Sequence, residues 1–234
     1  MRTNLYYHPN IFLHDATANH QLILKDKTKR VFDACSTVAC VNLVESVLCR
    51  EEHLLLAHTA EYINKLKVAN TLCNQSESFF AHDPETVQNK HTLEALGRSV
   101  GGYCQAVADV LADKVDYAFC VGLAGHHAYE DTAQGFCFIN SDAIAVQYAL
   151  RDGAKRVAML DFDTHSGNGT IRALADVDGV LFGETYQSGY PGVFLPKGVA
   201  PSNVKRYKAT GRISFHNKWD KILEAVSLFK PDIT

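Results

Sequence analysis

Short apolar runs that stop abruptly at polar loops, and that alternate with amphipathic stretches, constrain this chain more than any other feature. Residues 4–7, 117–121, 156–160 and 179–182 read as strands. Residues 92–112 place Leu96, Val100, Tyr103, Val107 and Val110 at helical spacing, which predicts a helix with one apolar stripe, Gly101 and Gly102 serving close packing. Residues 36–49 and 60–68 also carry apolar residues at helical intervals. Residues 141–151 read as a helix with Ser141 as N-cap and Gly153 at its C-terminal turn. In "WDKILEAVSLF", Trp219, Ile222, Leu223, Val226 and Phe229 share one side, and "DIT" after Pro231 looks like the opening of another strand. Such alternation predicts a mainly parallel sheet covered by helices on both faces: a three-layer α/β/α fold, taken as one domain over residues 1–234. Ligands in these folds sit beyond the carboxyl ends of the strands, where the loops after Val121 and Leu160 fall.

Charge argues against several partners. With 23 Lys and Arg against 26 Asp and Glu, scattered rather than blocked, nothing favours nucleic acid or an anionic membrane. No apolar run approaches a membrane span, and the first residues are interrupted by polar side chains and Pro9, unlike a secretory leader. Seven cysteines lie between Cys35 and Cys137 without a C-x-x-C pair. They predict reduced thiols in a cytoplasmic protein, several acting as small buried hydrophobes.

The loop after Leu160 reads "DFDTHSGNG". In an extended segment Asp161, Asp163 and His165 share one face, with Phe162 and Thr164 turned away. A bland reading has Asp161 simply capping the loop. Otherwise, ionised carboxylates gathered beside a glycine loop suggest a metal. A calcium loop is excluded, because it needs Gly where Ser166 stands and Glu where Arg172 stands. Gly167 stands where an arginase-like two-metal site prefers a further Asp. The mixed oxygen and nitrogen set suits one zinc with an open position. The other loop, "GLAGHHAYEDTAQGFCFIN", supplies adjacent imidazoles, His126 and His127, of the kind a metal-assisted hydrolase needs to take a proton and to hold charge.

Three linked motifs, "GHHA" (125–128), "GFCFIN" (135–140) and "DFDTHSGNG" (161–169), resemble the histone deacetylase superfamily, which includes acetylpolyamine amidohydrolases. Weaker likeness runs from "YYHPNIFLHD" through "AHTAEYINKL" to "YPG" and "FKPD". The resemblance implies an arginase/deacetylase-like fold and zinc-dependent hydrolysis of an acetamide on acetyl-lysine or an acetylpolyamine. It implies Asp163 and His165 as two zinc ligands and His127 as general base and acid, with His126 as electrostatic partner. By the same resemblance Asp161 orients His126 and Asn168 orients His127. Gly135, Phe136 and Tyr190 would bind substrate, the two aromatic rings walling a narrow tunnel around the acyl-amine arm. A monovalent cation such as K+ near Asp161 to His165 is also implied, although Leu181 replaces a hydroxyl side chain there.

The sequence departs from that pattern in three places. "CVGLA" replaces the arginine and prolines that often precede G-H-H-A, and Ser166 replaces a common second histidine. In the family the third zinc ligand and a tyrosine that stabilises the oxyanion follow the "FKPD" segment, and both would fall beyond Thr234. The expectation is thus a fold incomplete at its C-terminus, with two ligands. Its alternative is a catalytically impaired truncated or split-gene homologue that acts as a non-enzymatic or complementing fragment, with a complementing C-terminal fragment or a second copy of the chain as partner. A nucleotide-binding domain is disfavoured, since neither G-x-G-x-x-G after the first strand nor a Walker loop occurs.

Overall fold

A computed structural model of the chain describes residues 1–14, 22–187 and 201–234. Strand β1 (Thr3–Tyr7) leads through a short 3-10 helix (Pro9–Leu13), α1 (Leu22–Ser36) and β2 (Val41–Glu45) to the short α2 (Glu51–Leu54) and to α3 (Ala60–Ser76). A two-stranded ribbon, β3 (Phe80–Ala81) and β4 (Val87–Gln88), precedes α4 (Thr92–Leu111), β5 (Tyr117–Cys120) and α5 (Ser141–Arg151). The remainder comprises β6 (Val157–Asp161), α6 (Asn168–Leu174), β7 (Val180–Gln187), β8 (Val204–Ala209) and α7 (Arg212–Phe229).

Both larger sheets are parallel, in the orders β2-β1-β5 and β6-β7-β8. Ile233 bridges Val157 in parallel on the other side of β6, and its carbonyl accepts the Ala158 N–H at 3.0 Å, so "DIT" does begin as a strand. Asp232 anchors that start by accepting the Lys155 and Arg156 N–H groups at 2.7 and 2.8 Å.

Helix α5 joins the two halves. Its Ile144 packs with Leu96 and Val100 of α4 and with Ile63 and Leu66 of α3. Its Ala143, Val146 and Ala149 pack with Val157, Val180 and Phe182 of the second sheet and with Ile171 of α6. Each large apolar side chain fully buried there contributes about 1.5–3 kcal/mol, so the two sheets are fixed to one helix and hence to each other. A Cβ on Gly101 would stand 1.9 Å from the Val47 carbonyl oxygen, which is the close packing expected of α4.

Two local expectations are corrected. Residues 41–45 are strand β2, not helix, because their backbone pairs in register with β1. The N-cap of α5 is Asn140 rather than Ser141: the Asn140 side chain accepts the Ala143 N–H at 2.9 Å, while Ser141 is the first helical residue. All seven cysteines are unpaired thiols, with Cys73, Cys104 and Cys137 buried. Among the described residues no helix is long and apolar enough to cross a membrane.

Candidate active site

Strand geometry stops at Asp161, so the shared face of Asp161, Asp163 and His165 does not come from a continuing strand as the spacing suggested. Two successive side-chain turns produce it. The Asp163 N–H donates to Asp161 Oδ1 at 2.9 Å, and the His165 N–H donates to Asp163 Oδ1 at 2.7 Å. Phe162 is thrown outward, 71% exposed, with its ring edge-on to Trp219. Thr164 likewise turns away, to Gln187 at 3.2 Å. The side chains of Asp163 and His165 are 49% and 44% exposed, and His165 Nδ1 lies 3.1 Å from Asp163 Oδ1.

The loop after β5 meets this turn directly. Gly169 and Thr170, at the start of α6, donate their N–H groups to the His126 carbonyl at 2.9 and 3.1 Å. His126 Nδ1 donates to Asp161 Oδ2 at 2.8 Å, so both oxygens of this carboxylate are used. His127 Nδ1 bonds to Asn168 Oδ1 at 2.6 Å. The two rings lie 4.0 Å apart at their centroids, and the His127 and His165 rings 6.0 Å apart. Asn168 Nδ2 donates to the Tyr129 hydroxyl at 2.9 Å, which orients the amide with its oxygen toward His127. His127 must therefore carry its proton on Nδ1, leaving the Nε2 lone pair available.

These partners separate two neighbouring imidazoles. Burial lowers His126, but the Asp161 hydrogen bond and the charges of Asp161, Asp163 and Asp142 outweigh it, so its pKa is raised above the ordinary value. His127 is pushed down to about 4, first by burial and then by the His126 charge, against the opposing Asn168 hydrogen bond. Burial alone would raise Asp163, yet the His165 N–H and the nearby imidazoles hold it below the usual range. One ring thus favours the cation and the other the neutral base.

The 134–136 turn closes behind His127. Gln134 Nε2 donates to the His127 carbonyl at 2.9 Å. Gly135 has φ +55°, and a Cβ there would come within 2.7 Å of His127 Cδ2, so the backbone itself packs on the ring. Phe136 also takes positive φ, +68°, and its N–H donates to Thr86 Oγ1 at 3.0 Å. Its side chain walls a cavity of about 290 Å³ shared with Ile11, His14, Leu123 and Ala124.

The structure therefore brings together His126, His127, Gly135, Phe136, Asp161, Asp163, His165 and Asn168, drawn from loops of two sheets. Tyr190 lies outside the described residues. Among the described residues no group of three or more His, Cys, Asp or Glu could hold a metal ion. Sequence reasoning missed Tyr129, although it stands two residues after His127 in "HHAY". It also missed Gln134 and Thr86, whose parts emerge only in three dimensions.

The model of the histone deacetylase domain matches residues 20–234. A probable deacetylase of Archaeoglobus fulgidus is 32% identical over 199 residues, covering 81% of this chain and 54% of the relative. The crystal structure of the HDA15 HD domain is similar with a TM-score of 0.87 at 20% identity, covering 100% of this chain and 72% of that one. An acetylpolyamine aminohydrolase from Burkholderia pseudomallei gives 0.84 at 22% identity, covering 99% and 80%. At those identities the two structures establish the fold. The chain spans about half the length of the curated relatives it matches. With the domain match covering most of its length and the paired histidines facing the Asp-His turn, the chain belongs to the histone deacetylase family, whose members include deacetylases and amidohydrolases.

Proposed function

We propose that the chain carries the hydrolytic centre of a zinc-dependent deacetylase that cleaves the acetamide of an acetylated amine, acetyl-lysine or acetylpolyamine. The observation that carries this reading is the pair His126–His127, with tilted rings in contact, bonded to a carboxylate and to a neutral amide respectively, beside Asp163 and His165. The names of the probable deacetylase and of the acetylpolyamine aminohydrolase support the substrate class.

Asp163 and His165 fit zinc as two of its ligands. They offer one oxygen and one nitrogen donor on adjacent, half-exposed side chains, a donor set zinc accepts. When bound, zinc polarises the carbonyl and makes water nucleophilic near neutral pH. His127, neutral at Nε2, takes a proton from the attacking water and returns it to the departing amine. Asn168 and Tyr129 hold that ring in the tautomer the step requires. His126, paired with Asp161, keeps positive charge next to the reacting centre. Phe136 lays an aromatic face along the methylenes of the substrate arm and excludes water, and Tyr190 is proposed as a further substrate-binding residue. The Gly135 backbone packs directly on the His127 ring and is proposed as part of the substrate-binding turn.

The test is acetate release from an acetyl-lysine peptide and an acetylpolyamine by the zinc-loaded protein. Turnover should be abolished by a chelator, restored by zinc and reduced at least about 100-fold by His127→Ala. Folded, zinc-loaded protein without turnover, or turnover that His127→Ala leaves unchanged, would refute the proposal.

A further inference from the structure

Glu184 is only 1% exposed, and no step described above uses it. It lies on β7 with Arg206 of β8 as its register partner. Arg206 Nε donates to Glu184 Oε1 at 2.6 Å, and its guanidinium lies 4.9 Å over the Tyr186 ring. A carboxylate at such depth needs a cationic partner. The remaining bonds of the pair all go to one place. Glu184 Oε2 accepts the Gly167 N–H at 2.9 Å, and Oε1 accepts the Ser166 hydroxyl at 2.6 Å. Arg206 donates a further bond to Ser166 Oγ at 2.8 Å. Ser166 and Gly167 are the two residues between His165 and Asn168.

We propose that Glu184 and Arg206 are a positioning pair for the active site. By gripping the 166–167 turn they set His165 on one side and Asn168, and through it His127, on the other. The inference rests on the roles proposed above for His165 and His127. Apolar side chains of similar volume could fill the space between β7 and α6, and such replacements of buried ion pairs are often neutral for folding. They could not accept the Gly167 N–H or fix the Ser166 hydroxyl. Arginine suits the task because its planar fork reaches the carboxylate and the hydroxyl together.

The double variant Glu184→Met/Arg206→Met separates positioning from stability. It should fold and melt within a few degrees of the parent. Its zinc affinity, measured by chelator competition, should drop about 10- to 100-fold, as when groups that orient metal ligands are removed. In metal-free protein its His127 imidazole nitrogen resonances should shift away from the Nδ1–H tautomer. Arg206→Lys, which keeps the charge but not the fork, should fall between the two. A folded double variant with parental zinc affinity and unmoved His127 resonances would overturn the proposal. If the double variant does not fold, the near-isosteric Glu184→Gln decides by the same two readouts. Failure of the parent protein to bind zinc would count against the metal reading alone, because the His127 resonances still report on the pair.

Discussion

Asn168 is held between Tyr129 and His127, donating to the Tyr129 hydroxyl at 2.9 Å and facing the His127 ring with its oxygen at 2.6 Å. Without the tyrosine oxygen the amide loses what fixes its orientation. Tyr129→Phe removes one hydrogen bond, worth about 1 kcal/mol. The expected result is a roughly fivefold drop in kcat with KM little changed, read from the pH-independent part of the deacetylase rate profile. An unchanged kcat would show that Asn168 needs no support.

Asp161 divides its oxygens between His126 Nδ1 and the Asp163 N–H. Asp161→Asn keeps the shape and removes the charge. Burial, already the largest influence on His126, should then prevail and bring its pKa below the ordinary imidazole value instead of above it. Titration of the His126 ring protons by NMR measures the change of sign.

Gly135→Ala should damage the site through backbone and contact together. Its φ of +55° strains any L side chain, and the new methyl would meet His127 Cδ2 at 2.7 Å. A loss of about 1–3 kcal/mol in urea unfolding is expected, with turnover reduced because the His127 ring must move. A fully active, equally stable variant would contradict the packing described.

His58 couples stability to pH. It is buried and its Nε2 accepts the Asn140 N–H at 2.9 Å, so the folded state requires the neutral ring, and burial lowers its pKa from 6.5 to about 4. The stabilisation is complete above the unfolded value and is lost as pH falls from about 6.5 toward 4, amounting to about 3 kcal/mol at the acid end. His58→Gln keeps an acceptor without a titrating group. Denaturant melts between pH 7 and 4.5 should show a shallower decline for that variant than for the parent protein.

Much of this architecture was legible in the sequence because the strands near the site end where polar loops begin. β6 and β7 announce themselves as apolar runs, and α4 as a stripe, since each buries a continuous face, whereas β5 reads as an apolar run although its Tyr117 and Phe119 are exposed. β2 was not legible. It sits at the sheet edge with Asn42, Leu43 and Glu45 exposed, so no burial pattern marks it, and its partner β1 lies far back in the sequence. The site divides in the same way. His126, His127, Asp161, Asp163 and His165 could be read from two motifs, each local. Glu184 and Arg206 could not, because neither stands in a motif and they become neighbours only through the β7–β8 register. Residues 162–165 look like continued strand by spacing alone, yet two aspartate side chains capture the backbone and bend it.

Of the two touching histidines, His127 stays a neutral base while His126 holds charge. The direct measurement is a 15N NMR titration of both imidazoles in the metal-free protein. His126 should be protonated below a raised pKa, while His127 should remain the neutral Nδ1–H tautomer until the pH nears 4. Titration in the reverse order, or His127 protonated near pH 6.5, would contradict it.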